Sequence, residues 1–131
     1  MRALVVDDSL PARRHAGRML AELGFEVYEA VHGEDALSSI KRLGPVEVVL
    51  LDWNMPYADG MWFLRHVRQD KALDEVLIIM ATGNADMASV QQALGEGASE
   101  YMMKPYARED LQGKLEILGF QFGGPAEGGV A

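Results

Sequence analysis

The chain has 131 residues, 49 % of them hydrophobic, which suits one domain with a single core and leaves no room for two. Its net charge of −8, from 20 acids against 12 bases, argues against direct contact with nucleic acid or an anionic membrane, both of which call for basic patches. There is no cysteine, so no disulfide framework and no thiolate metal site. No run approaches the roughly 18 apolar residues of a membrane span, and the first 20 residues do not read as a signal peptide. A cytoplasmic location fits.

In chain order, residues 3–6 form an apolar run that stops at Asp7-Asp8. Ser9 then suits an N-cap and Pro11 a first helical turn, and apolar spacing through Ala12, Ala16, Met19 and Leu20 predicts a helix to about Leu23. Residues 25–30 mix apolar and acidic positions, as a half-exposed strand at a sheet edge does. A second helix is predicted from about Gly33 to Leu43, stopped by Gly44-Pro45. Residues 48–52 (Val-Val-Leu-Leu-Asp) lack polar alternation and end in a carboxylate, the pattern of a strand buried on both faces.

The second half repeats the alternation. A helix is expected from about Gly60 to Gln69, with Phe63, Leu64 and Val67 inward. Residues 76–81 are another apolar run, ending at Thr82-Gly83. Asp86 suits the cap of a fourth helix, with Met87, Val90 and Leu94 at helical intervals. A short strand at 100–103 ends at Lys104-Pro105, and a last helix runs from about Arg108 to Leu118. Ala107 is a poor cap for it, and Gly113 weakens it. Residues 119–131, with five glycines and a proline, read as a flexible tail on a domain of residues 1–118.

Five strands alternating with helices imply an α/β fold of (βα)5 type, a doubly wound parallel sheet. The mixed second strand wants an edge and the first and third want the middle, which selects the flavodoxin-like order 2-1-3-4-5. All strand carboxyl ends then share one rim, so Asp7, Asp8, Asp52, Thr82 and Lys104 converge. Like charges about 4 Å apart at an effective dielectric near 20 repel by roughly 4 kcal/mol. A hard divalent cation with oxygen ligands, Mg²⁺ first, relieves that repulsion and leaves one carboxylate as nucleophile. Lys104 supplies a fixed positive charge and Thr82 a hydroxyl for a transferred phosphoryl group.

With Asp7-Asp8, Asp52 through Pro56, Asp59-Gly60, Thr82-Gly83, Tyr101 and Lys104-Pro105 in place, the chain resembles a response-regulator receiver domain of two-component signalling, of the stand-alone CheY-like kind. The match runs from about Arg2 to Leu118. The resemblance implies that Asp52 accepts a phosphoryl group from a histidine kinase or phosphotransfer protein. It implies Mg²⁺ (or Mn²⁺ in its place) on Asp8, Asp52 and the backbone carbonyl of Asn54, with Asp7 acting through water. Thr82 and Lys104 would bind phosphoryl oxygens, Thr82 and Tyr101 would form a switch pair, and the peptide before Pro105 would be cis.

Asn54 and Asn84 flank the path of a hydrolytic water, and neither amide is a general base, so a phosphoryl lifetime of seconds or longer is expected. Gly83 leaves the site open to small phosphodonors. With no further domain after the last helix, output is expected through a protein target on the face of helix 4, strand 5 and helix 5, around Tyr101 and Met103. Trp62 reads as an exposed docking aromatic. The protein is expected to be a monomer or a phosphorylation-dependent dimer and, beyond its own phosphorylation and dephosphorylation, not an enzyme. A phosphatase of the haloacid dehalogenase type needs an acid where Asn54 stands. A phosphate sink or relay shuttle is the remaining alternative. His15, His32 and His66 lack metal-ligand spacing and receive no role.

Overall fold

Three of the apolar runs occupy the middle of a sheet, and their alternate side chains build two cores, one on each face. The computed structural model describes residues 1–53, 59–83 and 87–122. Its strands are β1 (Arg2–Val6), β2 (Glu26–Ala30), β3 (Val48–Asp52), β4 (Leu77–Thr82) and β5 (Glu100–Met103). They alternate with α1 (Leu10–Glu22), α2 (Gly33–Leu43), α3 (Gly60–Gln69), α4 (Met87–Gly95) and α5 (Arg108–Ile117). All neighbouring strands are parallel, in the expected order β2-β1-β3-β4-β5. Leu4, Val6, Val49, Leu51, Ile78 and Met80 face α2 and α3; Ala3, Val5, Val48, Leu50, Ile79 and Ala81 face α1 and α5. No described helix is long and apolar enough to cross a membrane.

The helix starts follow local chemistry. Ser9 accepts from the N–H of Ala12 at 3.3 Å, and Asp59 from that of Trp62 at 3.0 Å. His32, given no role from sequence, caps α2 by accepting from the N–H of Asp35 at 3.1 Å. Ala107 indeed has no side-chain acceptor, but Asp110 reaches back and accepts its N–H at 2.8 Å, closing the start of α5. The expected cap Asp86 lies outside the described residues.

In α4 the buried stripe runs through Val90 and Ala93, whereas Met87 (64 % exposed) and Leu94 (40 %) share the solvent flank. One expectation needs correction. Phe120 and Phe122, expected within a loose tail, are packed against the core. Phe120 sits edge-on to Phe25 at 5.4 Å between centroids, and Phe122 lies 6.2 Å from the same ring. The tail residues 123–131 lie outside the described part.

Candidate functional site

Strand register delivers the acids to one place. Val6 of β1 is in register with Leu51 of β3, so the next residues, Asp7 and Asp52, leave the sheet side by side. The N–H of Trp53 donates to the Ala81 carbonyl at 3.0 Å, extending the β3–β4 ladder past Asp52, and the N–H of Lys104 donates to the Thr82 carbonyl at 2.7 Å. Carboxylate oxygens of Asp7, Asp8 and Asp52 all lie within 4.8 Å of one another. Lys104 Nζ reaches across to donate to Asp7 Oδ2 at 3.0 Å and Asp52 Oδ1 at 3.1 Å. The peptide between Lys104 and Pro105 is cis.

Burial sets the electrostatics. Among the described residues the buried polar side chains are Asp7, Ser39, Asp52 and Thr82, and three of these four line this rim. Asp8 stays exposed. Burial holds the Asp52 carboxyl above its ordinary value; Lys104 pulls it down, and repulsion from Asp7 and Asp8 pushes it up again. For Lys104 burial would lower the pKa, yet its hydrogen bond to Asp7 and the attraction of Asp52 and Asp7 outweigh this and leave it raised. The pair is unequal because one ammonium serves two acids. Three clustered carboxylates with a single cation among them are a donor set suited to a hard divalent ion.

Thr82 is buried at the end of β4, where it joins this rim. Tyr101 is half-buried against the α2–α3 core, with Lys114 Nζ 5.0 Å from its ring centroid. Met103 is 49 % exposed and Met102 is buried in the opposite core, so successive side chains of β5 alternate between the two faces. Trp62 is not an exposed docking aromatic: it is half-buried and stacks on His66 at 3.9 Å. Asn54 and Asn84 lie outside the described residues. Sequence reasoning passed over Tyr106, whose phenol burial pushes up to about 12. It lines a cleft of about 310 Å³ beside Asp7 and Lys104, together with Ala12, His15 and Pro105.

The model of the response regulator receiver domain matches residues 3–116, nearly the whole chain. The chain belongs to the response-regulator receiver family. Among its relatives, this receiver domain is 39 % identical to chemotaxis protein CheY1 of Helicobacter pylori over 119 residues, 90 % of this chain and 96 % of that one. It is also 39 % identical to the chemotaxis protein CheY homolog of Campylobacter jejuni over 121 residues, 91 % of this chain and 93 % of that one. In structure it resembles chemotaxis protein CheY4 of Vibrio cholerae, with a TM-score of 0.83, 29 % identity, and coverage of 88 % of this chain and 96 % of that one. CheY-like receivers are signalling proteins rather than enzymes with a separate substrate. Receiver domains bind Mg²⁺ at an acidic pocket, and in this chain Asp7, Asp8 and Asp52 form an acidic cluster that could hold a metal ion.

Proposed function

We propose that this receiver works as a single-domain response regulator in which Asp52 accepts a phosphoryl group from a histidine kinase or phosphotransfer protein. The observation that carries this reading is the convergence of three carboxylates from two strand ends, bridged by the ammonium of Lys104. An Asp52 carboxylate oxygen attacks phosphorus, the P–N bond of the donor's phosphohistidine breaks, and the imidazole leaves with that electron pair and takes up a proton. Mg²⁺ held by Asp8, Asp52 and the Asn54 carbonyl, with Asp7 acting through water, would neutralise charge on the phosphoryl oxygens. Lys104 exchanges its contact to Asp52 for one of those oxygens, and Thr82 donates its hydroxyl to another. Burial of Asp52 keeps bulk water from the acyl phosphate.

Engagement of Thr82 would shift the neighbouring β5 and Tyr101, changing a surface that exposes Met87 and Leu94 of α4 and Met103 of β5. A protein target docks there. Asn54 and Asn84 would leave the acyl phosphate a lifetime of seconds or longer.

Incubation with acetyl phosphate and Mg²⁺, and then with purified histidine kinases, tests the reading by intact mass. The parent gains one phosphoryl group and Asp52→Asn gains none. A parent that stays unlabelled by every donor sinks the proposal. Proteins captured only by the phosphorylated form separate an output regulator from a phosphate sink.

A further inference from the structure

Asp7 is gripped on every side. Its N–H donates to the carbonyl of Ala30 at 3.1 Å, Oδ1 accepts from the N–H of Ser9 at 2.9 Å, and Oδ2 accepts from Lys104. Its carbonyl oxygen accepts from Arg13 Nη1 at 2.9 Å. Asp8 differs: it is exposed, and among the described residues no hydrogen bond reaches its carboxylate. Of three mutually repelling acids, it is the one able to swing into solvent.

Arg13 is tied down at its other edge. Nε donates to Glu29 Oε1 at 2.8 Å, and the Arg13 side chain is only 12 % exposed. Glu29 lies on β2 in register with Val5 of β1. One helical turn beyond Arg13 stands Gly17, where a β-carbon would meet Val27 Cγ1 at 3.4 Å and Glu29 Oε2 at 4.0 Å. A β-carbon there would be in ordinary van der Waals contact, so α1 packs on β2 at normal distance with the guanidinium between the Glu29 carboxylate and the Asp7 carbonyl.

The Asp7 carbonyl belongs to the planar peptide linking Asp7 to Asp8, so fixing the oxygen fixes the direction in which the chain leaves for Asp8. We infer that Arg13 is a positioning residue of the acidic pocket: anchored on Glu29, it holds the Asp7–Asp8 peptide so that the Asp8 carboxylate faces Asp52. This rests on the reading above, in which Asp8 is a Mg²⁺ ligand. Charge and positioning make opposite forecasts. Removing a cation beside an acidic pocket should strengthen the binding of another cation, whereas losing the clamp should weaken it. Lysine keeps the charge but lacks the planar fork that spans both acceptors.

Calorimetric titration with Mg²⁺ alone, after thermal melts establish folding, tests this in the full chain. Arg13→Ala is expected to bind about tenfold more weakly and Arg13→Lys several-fold more weakly, with Glu29→Gln losing about twofold. In the metal-free protein, amide exchange at Asp8 and Ser9 should be faster in Arg13→Ala. A folded Arg13→Ala that binds Mg²⁺ as tightly as the parent, or more tightly, overturns the inference. Should the alanine variant not fold, an Arg13→Lys variant with parental affinity overturns it equally. If the parent itself takes up no Mg²⁺, the failure belongs to the proposed function.

Discussion

A β-carbon on Gly60 would lie 2.9 Å from the carbonyl oxygen of Asp52. It would also stand 3.2 Å from Trp53 Cα and 3.1 Å from Met80 Cε. The methyl of Met80 can give way, but the backbone at the end of β3 cannot without moving Asp52. Helix α3 therefore starts directly against the strand end that carries Asp52, the proposed phosphoacceptor. Gly60→Ala is expected to cost about 1–3 kcal/mol, the usual range for overpacking, and to slow labelling of Asp52 by acetyl phosphate. Urea unfolding and the labelling rate measure the two effects. An alanine variant matching the parent in both would show that the strand end has slack.

The raised pKa of Asp52, caused first by burial and then by its acidic neighbours, has a stability consequence. A carboxyl titrating above its ordinary 3.8 favours the fold while protonated and opposes it once charged. Its contribution is thus present below the ordinary value and is lost as pH rises through the raised one. Asp52→Asn, neutral throughout, should melt at a higher temperature than the parent at pH 7 and gain nothing well below pH 4. Saturating Mg²⁺ should narrow the gap by stabilising the parent more than the variant. Melts at both pH values, with and without the ion, decide it. A variant less stable than the parent at pH 7 would mean that the lost Lys104 contact outweighs the relief of charge.

The sheet and the pocket were legible in the sequence for one physical reason. Strands buried on both faces must be apolar throughout, so their ends stand out as abrupt changes to Asp52, Asp7 or Lys104, and parallel pairing collects those ends. Arg13 was hidden because its partners are a backbone carbonyl and a residue from another strand, neither of which leaves a periodic trace. Phe120 and Phe122 were lost in glycine-rich surroundings, since local composition does not report Phe25 waiting across the fold.

Arg68 ties the far ends of several elements together. Its guanidinium donates to the carbonyls of Gly97 at 2.9 Å, Leu73 at 3.2 Å, Asp74 at 3.4 Å and Val76 at 2.7 Å. These carbonyls follow α4 and lead into β4, so one side chain from α3 closes both connections. Arg68→Ala leaves partly buried carbonyls without a donor and should cost about 2–4 kcal/mol. Arg68→Lys should recover only part of this, because a single ammonium cannot follow the planar fan of acceptors. Equilibrium urea curves with an unchanged slope would read the loss as stability. A cost below about 0.5 kcal/mol, the level of an ordinary surface substitution, would mean that water replaces the guanidinium freely.

Phe120 and Phe122 close the open end of the core between α1 and α5. Their rings lie 6.3 Å apart and nearly parallel, and both pack on Phe25, which is only 5 % exposed. The N–H of Phe120 donates to the Leu115 carbonyl at 3.0 Å, which turns the chain from the end of α5 back onto that ring. Replacing both by alanine uncovers Phe25 and removes three aromatic pairs, an expected loss of about 2–4 kcal/mol. Because the two rings share one partner, the double variant should lose a different amount from the sum of the single ones. Neither ring touches Asp7, Asp8, Asp52 or Lys104, so the rate of Asp52 labelling by acetyl phosphate should stay parental below the melting range. Denaturation and labelling run on the same preparations test both halves: a folded double variant with parental stability removes the packing argument, and slowed labelling would show that α5 transmits the state of this cluster to Lys104.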